Sequence, residues 1–264
     1  MTRHILGLSG GKDSTALAIH MRDRITNMEY VFCDTQKELP ETYEYLDRLQ
    51  AYLGKPIVRL NATRGFDHYM DLYGGYLPSS RMRWCTRQLK IKPFEDYVGE
   101  EDVLSYIGIR ADEDRAGYIS SKANIKPMYP FKEDGIVEAD VFRILEESGL
   151  GLPKYYEWRT RSGCYFCFFQ RKKEWAGLKE RHPDLFELAK SYEKIDEATG
   201  VRYTWNQTES LEELAQPERL SEINRKHEET LRNARPRTGQ RLYQIFGAAL
   251  EEDDDTEPCL ICQL

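Results

Sequence analysis

The chain has 264 residues, enough to bury a full core in one large domain with a smaller appendage. With 40% hydrophobic and 31% charged residues, its apolar runs fall far short of the ~20 residues a bilayer span requires, which excludes a helical membrane protein. A net charge of −7 excludes a surface uniformly coated for nucleic acid.

In chain order, residues 4–8 read as a short buried strand. Ser14–Arg24 reads as a helix, with Leu17, Ala18 and Met21 at helical spacing. Residues 29–35 form a second strand, 40–54 a helix closed by Gly54, 56–60 a third strand and 102–110 a fourth. Beyond about residue 135 the strands stop, and 138–149, 171–181, 184–198 and 209–232 read as helical. Alternation at this pitch predicts an α/β fold, a doubly wound parallel sheet with a C-terminal helical cap. The expected divisions are a nucleotide-binding domain over 1–135, a helical region over 136–250, and a mobile acidic tail over 251–264. The first residues carry no export signal, so the cytoplasm is the expected compartment.

The ligand-binding place in such a sheet lies beyond the carboxyl ends of the strands. Ser9-Gly10-Gly11-Lys12-Asp13-Ser14 stands there, between the first strand and the first helix. Glycines let a backbone approach phosphate, and the helix start offers free N–H groups and its positive dipole end. Ser9 and Ser14 add hydroxyls, and Lys12 adds charge. The loop suits a polyphosphate, yet it is not G-x-x-x-x-G-K-[ST], because Leu6 stands where the first glycine would be and Asp13 follows the lysine.

Ser-Gly-Gly-Lys-Asp-Ser in this setting resembles the PP-loop of the ATP pyrophosphatase superfamily. CDTQKELPETYEYL (33–46), CTRQLKIKP (85–93), GIRADEDR (108–115) and GCYFC (163–167) are similar, in the same order, to the phosphoadenosine-phosphosulfate reductase family. The resemblance implies a Rossmann-like fold of the adenine nucleotide α-hydrolase type. It also implies ATP held by Ser9, Gly10, Gly11, Lys12, Asp13 and Ser14, with Asp13 near Mg²⁺ and Lys12 and Asp13 catalytic. Asp34, at the end of strand two, would meet the nucleoside; its alternative is a plain turn residue. Arg110 and Arg115 would clamp anionic groups, since guanidinium forks suit phosphate or sulfate oxygens; for Arg115 an ordinary surface salt bridge is the alternative.

Six cysteines without an export signal point to metal or redox chemistry rather than a disulfide framework. Iron–sulfur members of the resembled family use a Cys-Cys pair, a gap, then C-x-x-C. Here Cys85 precedes Cys164 and Cys167 by a comparable gap, but Trp84 replaces the first cysteine of the pair. Three readings stand. Cys85, Cys164 and Cys167 hold a [4Fe–4S] cluster with an open or tail-filled fourth site. Alternatively, Cys164, Cys167, Cys259 and Cys262 form a zinc site. In the third, the cysteines act as thiols whose pKa is lowered by nearby bases, ready for persulfide transfer. Cys33, inside a buried strand, reads as core packing.

Residues 79–92 and 158–173 each hold five bases and no acid, and 224–241 is rich in arginine. The resemblance offers two chemistries. One is sulfur transfer: ATP adenylates an oxygen of a nucleic acid with release of pyrophosphate, and sulfur then displaces AMP, as in DNA phosphorothioation (Dnd and Ssp types) or tRNA thiolation. The other is reduction of a sulfonucleotide to sulfite. The closing CLICQL is not the family's Glu-Cys-Gly-Leu-His ending, and the basic stretches suit a phosphate backbone. Sulfur transfer, with DNA the first choice of acceptor and a cysteine desulfurase as partner, is therefore the expectation. A non-catalytic nucleotide gate with a zinc site is a third reading.

Overall fold

A computed structural model describes residues 2–233 apart from 115–119, 121, 197 and 207. In chain order it runs β1 (Arg3–Leu8), α1 (Lys12–Met21), β2 (Met28–Asp34), α2 (Pro40–Leu53), β3 (Ile57–Asn61) and α3 (Phe66–Leu72). There follow α4 (Trp84–Thr86), a π-helical turn (Arg87–Ile91), α5 (Lys92–Val98), β4 (Val103–Tyr106), β5 (Ile125–Met128), α6 (Pro130–Glu133) and α7 (Glu138–Glu147). A 3-10 turn (Lys154–Glu157), α8 (Lys172–Arg181), α9 (Pro183–Ser191), β6 (Lys194–Ile195), β7 (Arg202–Tyr203), α10 (Leu211–Leu214) and α11 (Pro217–Asn233) complete the order.

The main sheet has strand order β3-β2-β1-β4-β5, and every pairing is parallel. β1 is central, so both its faces are covered and it reads as an apolar run rather than an alternation. Leu6 and Leu8 pack on one side with Ala16 and Leu17 of α1, Leu49 of α2 and Val141 of α7. Ile5 packs on the other with Val31, Phe94 and Val98. The chain leaves β1 toward β2 on one side, while β4 lies on the other. The crevice at the carboxyl ends of β1 and β4 is thus the topological switch point where ligands bind in open α/β sheets.

The doubly wound sheet agrees with the sequence reading, and several details differ. Strand four ends at Tyr106 rather than residue 110, because Ile107–Arg110 peel off toward α1. A fifth strand, β5, completes an edge; Pro127 lacks an N–H and is tolerated there because an edge strand pairs on one side alone. Strands do not stop at 135: β6 and β7 form a short antiparallel hairpin where 184–198 reads as helix. The 209–232 helix is broken at Pro217, which starts α11. Packing also crosses position 135. An aromatic core joins Phe66 and Trp84 of the first half to Tyr155, Phe166, Trp175 and Trp205 of the second. No helix among the described residues is long and apolar enough to cross a membrane.

Candidate functional site

The two glycines of the loop have different reasons to be glycine. Gly10 adopts φ +72°, and a Cβ there would stand 2.6 Å from Thr42 Cγ2 at the start of α2. Gly11 has an extended backbone, but its Cβ would stand 2.8 Å from Ser162 Oγ. One glycine makes the turn; the other lets a segment from the second half of the chain dock.

The hydroxyls knit the loop. The Ser9 amide donates to Ser14 Oγ at 3.1 Å, the Ser9 and Ser14 hydroxyls lie 3.1 Å apart, and the Gly11 amide donates to Ser9 Oγ at 3.4 Å. Beside them lies a half-buried knot of charge. Asp13 bonds Lys12 Nζ and Arg110 at 3.0 Å each, Arg110 also pairs with Asp112 and Glu113, and Lys12 reaches Glu138 at 3.4 Å. Burial works to raise the Asp13 carboxyl, but Lys12 and Arg110 overrule it and hold it below the usual carboxylate range. Arg110 comes from the end of β4, and Gly108 lets that chain approach to 3.1 Å of the Asp13 carbonyl as a Cβ would measure it.

Asp34 ends β2 at the same edge. Its Oδ1 accepts the Gln36 amide and the Tyr43 hydroxyl, both at 2.8 Å, so the turn is one of its tasks. Arg115, Cys259 and Cys262 lie outside the described residues, as do the acidic tail and the zinc set that includes its cysteines.

The cysteine region is assembled from four separate segments. Cys33 is 2% exposed in the apolar layer, as expected of a core residue, and its thiol donates to the Lys90 carbonyl at 3.5 Å. Cys85 sits on α4, and Lys90 on the π-helical turn that follows, a rare geometry often met at functional sites. Cys164 forms an isolated antiparallel bridge with Glu38; its Sγ lies 3.1 Å from Thr35 Oγ1 and 3.9 Å from Glu38 Oε1. Thr35 Oγ1 donates to the Glu38 carboxylate at 2.8–2.9 Å. The Lys90 ammonium feels Cys164, Glu38, Cys33 and Cys167 together. Arg159, 1% exposed, braces the loop by donating to the carbonyls of Gly163 and Cys164 at 3.1 and 2.9 Å.

Burial, not basicity, sets these thiols. It pushes Cys85 up to about 11 and Cys33 up to about 12, and together with Glu38 it raises Cys164 further. The expectation that neighbouring bases lower the thiol pKa therefore fails for Cys85 and Cys164, because desolvation outweighs Lys90. Cys85, Cys164 and Cys167 share one neighbourhood. Even so, no three His, Cys, Asp or Glu side chains among the described residues are gathered to hold a metal ion. Trp84 stands in the aromatic core, stacked on Tyr73 at 5.3 Å. As arranged, with Cys164 engaged by Thr35 and Glu38, the donor set does not fit an iron–sulfur cage, and no step below runs through one.

The two acid-free basic stretches meet on one face. The guanidinium groups of Arg83 and Arg161 lie over the same Phe169 ring, at 5.0 and 5.3 Å. Arg81 and Arg87 are exposed close by in sequence. Thr35, Glu38 and Lys90 fall inside the family-like stretches 33–46 and 85–93 without standing out there, whereas Tyr155, Tyr156 and Ser162 join the site only through contacts distant in sequence.

Residues 3–126, from β1 to the start of β5, match the family model of the phosphoadenosine phosphosulfate reductase domain. That stretch, just under half of the chain, is similar to the phosphoadenosine phosphosulfate reductase domain. Two uncharacterised proteins of Methanocaldococcus jannaschii are 27% and 24% identical over 69% and 67% of this chain. The aligned region takes in only 40% and 44% of their length. An uncharacterised protein of Escherichia phage 186 is 26% identical over 76% of this chain and 77% of its own. The tRNA-specific 2-thiouridylase of Lactiplantibacillus plantarum is 25% identical over 67% of this chain and 55% of its own. Among solved structures, phosphoadenylyl-sulfate reductase of Candida auris in a phosphate complex aligns at TM-score 0.48 and 15% identity, over 62% of this chain and 82% of that one.

Proposed function

We propose that this protein is an ATP pyrophosphatase of sulfur transfer, acting on a nucleic acid, with DNA the first acceptor to test and tRNA the second. The observation that supports the reading is the junction of its two chemistries. The segment bearing C-x-x-C docks on the phosphate loop, with Ser162 Oγ 3.1 Å from Ser9 Oγ and Cys164 two residues further on.

In this reading the Ser9–Ser14 loop holds the triphosphate with Mg²⁺, and Lys12 and Arg110 offset the charge that develops as an acceptor oxygen attacks the α-phosphorus. The O–P bond to AMP forms and pyrophosphate leaves. A persulfide on the C-x-x-C pair, loaded by a cysteine desulfurase, then attacks with its terminal sulfur the acceptor carbon or phosphorus that bears the adenylated oxygen, and the bond from that atom to the oxygen breaks. AMP leaves, and the second cysteine cleaves the resulting S–S link, so that the acceptor keeps the sulfur and the pair is left as a disulfide for an external thiol to reduce. Cys164 is half-buried and held at rest by Thr35 and Glu38, contacts it must shed to take part. The Arg83–Phe169–Arg161 face supports a polyanionic acceptor.

The family match supports sulfonucleotide reduction equally, and one experiment separates the two. The protein is incubated anaerobically with ATP, desulfurase, cysteine and either DNA or tRNA, and in parallel with a sulfonucleotide and reduced thiol. Acceptor-dependent pyrophosphate with sulfur incorporated is expected. Sulfite from the sulfonucleotide, with ATP left whole, would replace this proposal with the reductase.

A further inference from the structure

The loop does not stand alone at the start of α1. The first amides of a helix have no partner within it and are what a phosphate uses. Here the Lys12 amide donates to the Tyr156 hydroxyl at 3.2 Å. Tyr155, stacked on Tyr156 at 5.1 Å and itself fully buried, donates its hydroxyl to the Gly10 carbonyl at 2.7 Å. Ser162 donates to Ser9 Oγ and fills the space left by the missing Gly11 side chain. Residues 155–164 thus lie as a strap across the loop, and the Arg159 brace ties the strap's end to the backbone of Cys164.

Resting on the nucleotide reading above, we propose that Tyr156 belongs to the nucleotide site as a group the phosphate chain displaces, and that its release lifts the strap and frees Cys164. A single N–H cannot donate fully to two acceptors. A phosphate oxygen that takes the Lys12 amide must end its bond to Tyr156, whereas Ser9 Oγ accepts from Ser162 and keeps its own hydrogen to offer. Arg159 couples the strap to the Cys164 carbonyl, so a strap that lifts draws Cys164 away from Thr35 and Glu38. Nucleotide binding and thiol availability are then one event. The thiol stays protected until ATP is in place, which keeps a persulfide from being spent on the wrong acceptor.

Displacement and ligation predict opposite results on removing the hydroxyl. If Tyr156 competes with phosphate, Tyr156→Phe binds a non-hydrolysable ATP analogue with Mg²⁺ about three- to tenfold more tightly, the worth of one neutral hydrogen bond. If Tyr156 were a phosphate ligand, the variant would bind more weakly, and the proposal falls. The change deletes one oxygen and keeps the ring stack. Hydrogen exchange read by mass spectrometry is the companion measurement. In wild type the analogue should slow exchange at 9–15 and speed it at least threefold across 155–164. Slowed or unchanged exchange in the strap while the loop is protected overturns the proposal and leaves the nucleotide reading intact. An analogue that does not bind the wild-type protein overturns both.

Discussion

The phosphate loop and the cysteine region lie side by side and are built in contrary ways. The loop is six consecutive residues whose hydroxyls, glycines and charges serve one another within two turns of chain. The cysteine region draws Thr35 and Glu38 from behind β2, Cys85 and Lys90 from the π-helical turn and its approach, and Cys164 and Cys167 from the far half. A site of consecutive residues is fixed by local backbone geometry and survives small shifts of the fold. A site of converging segments depends on every element that carries one of its parts. The loop is therefore the rigid partner and the cysteines the movable one.

The largest expected effect tests the division of labour. Cys164→Ser should reduce sulfur incorporation to background while leaving acceptor-dependent pyrophosphate release within about twofold of wild type; loss of both would merge the two regions into one. Next is Asp13→Asn, which leaves Lys12 and Arg110 short of a half-buried partner and should cost about 3 kcal/mol in denaturant unfolding. Because the folded carboxyl lies below its ordinary range, that contribution is fully present above the unfolded value near pH 4 and disappears as pH falls through the folded one. The stability gap between wild type and variant should thus be flat from pH 6 to 8 and shrink below about pH 4; a gap that widens there would refute the ion knot.

Gly10→Ala forces a side chain into a left-handed backbone and against Thr42, and should cost about 2 kcal/mol with loss of nucleotide affinity by calorimetry. An unaltered melting curve would show that the loop is less rigid than the comparison requires. The smallest effect belongs to the shared face. Arg83→Glu with Arg161→Glu should weaken DNA binding about tenfold, and lower its salt dependence, with affinity for the ATP analogue unchanged. Equal DNA binding by the double variant would move the acceptor elsewhere.

The same contrast explains what could be read from the sequence. The loop, its flanking strand and helix, and the sheet class follow from local periodicity and from residue types next to one another. β5 escaped because Ile125-Lys126-Pro127-Met128 mixes a charge and a proline, and its strand character comes from pairing with β4. Lys90 sits within a basic stretch that suggests a surface, yet it is enclosed among thiols. Glu38 lies next to a helix start and gives no hint that residue 164 will bridge to it. Cys85, Cys164 and Cys167 are visible as a set, but the upward push that burial gives the Cys85 and Cys164 thiols is not, since desolvation is a property of the folded surroundings.

Gly11 carries a consequence for how the protein is made. The ribosome emits the phosphate loop well before the serine that seats against it, which follows 151 positions later. A nascent chain therefore has its central strand and first helix long before anything covers the N-terminal amides of that helix. A fragment ending before the second tyrosine of the strap would offer those amides to any passing polyanion, with neither cysteine of the C-x-x-C pair present to make use of it.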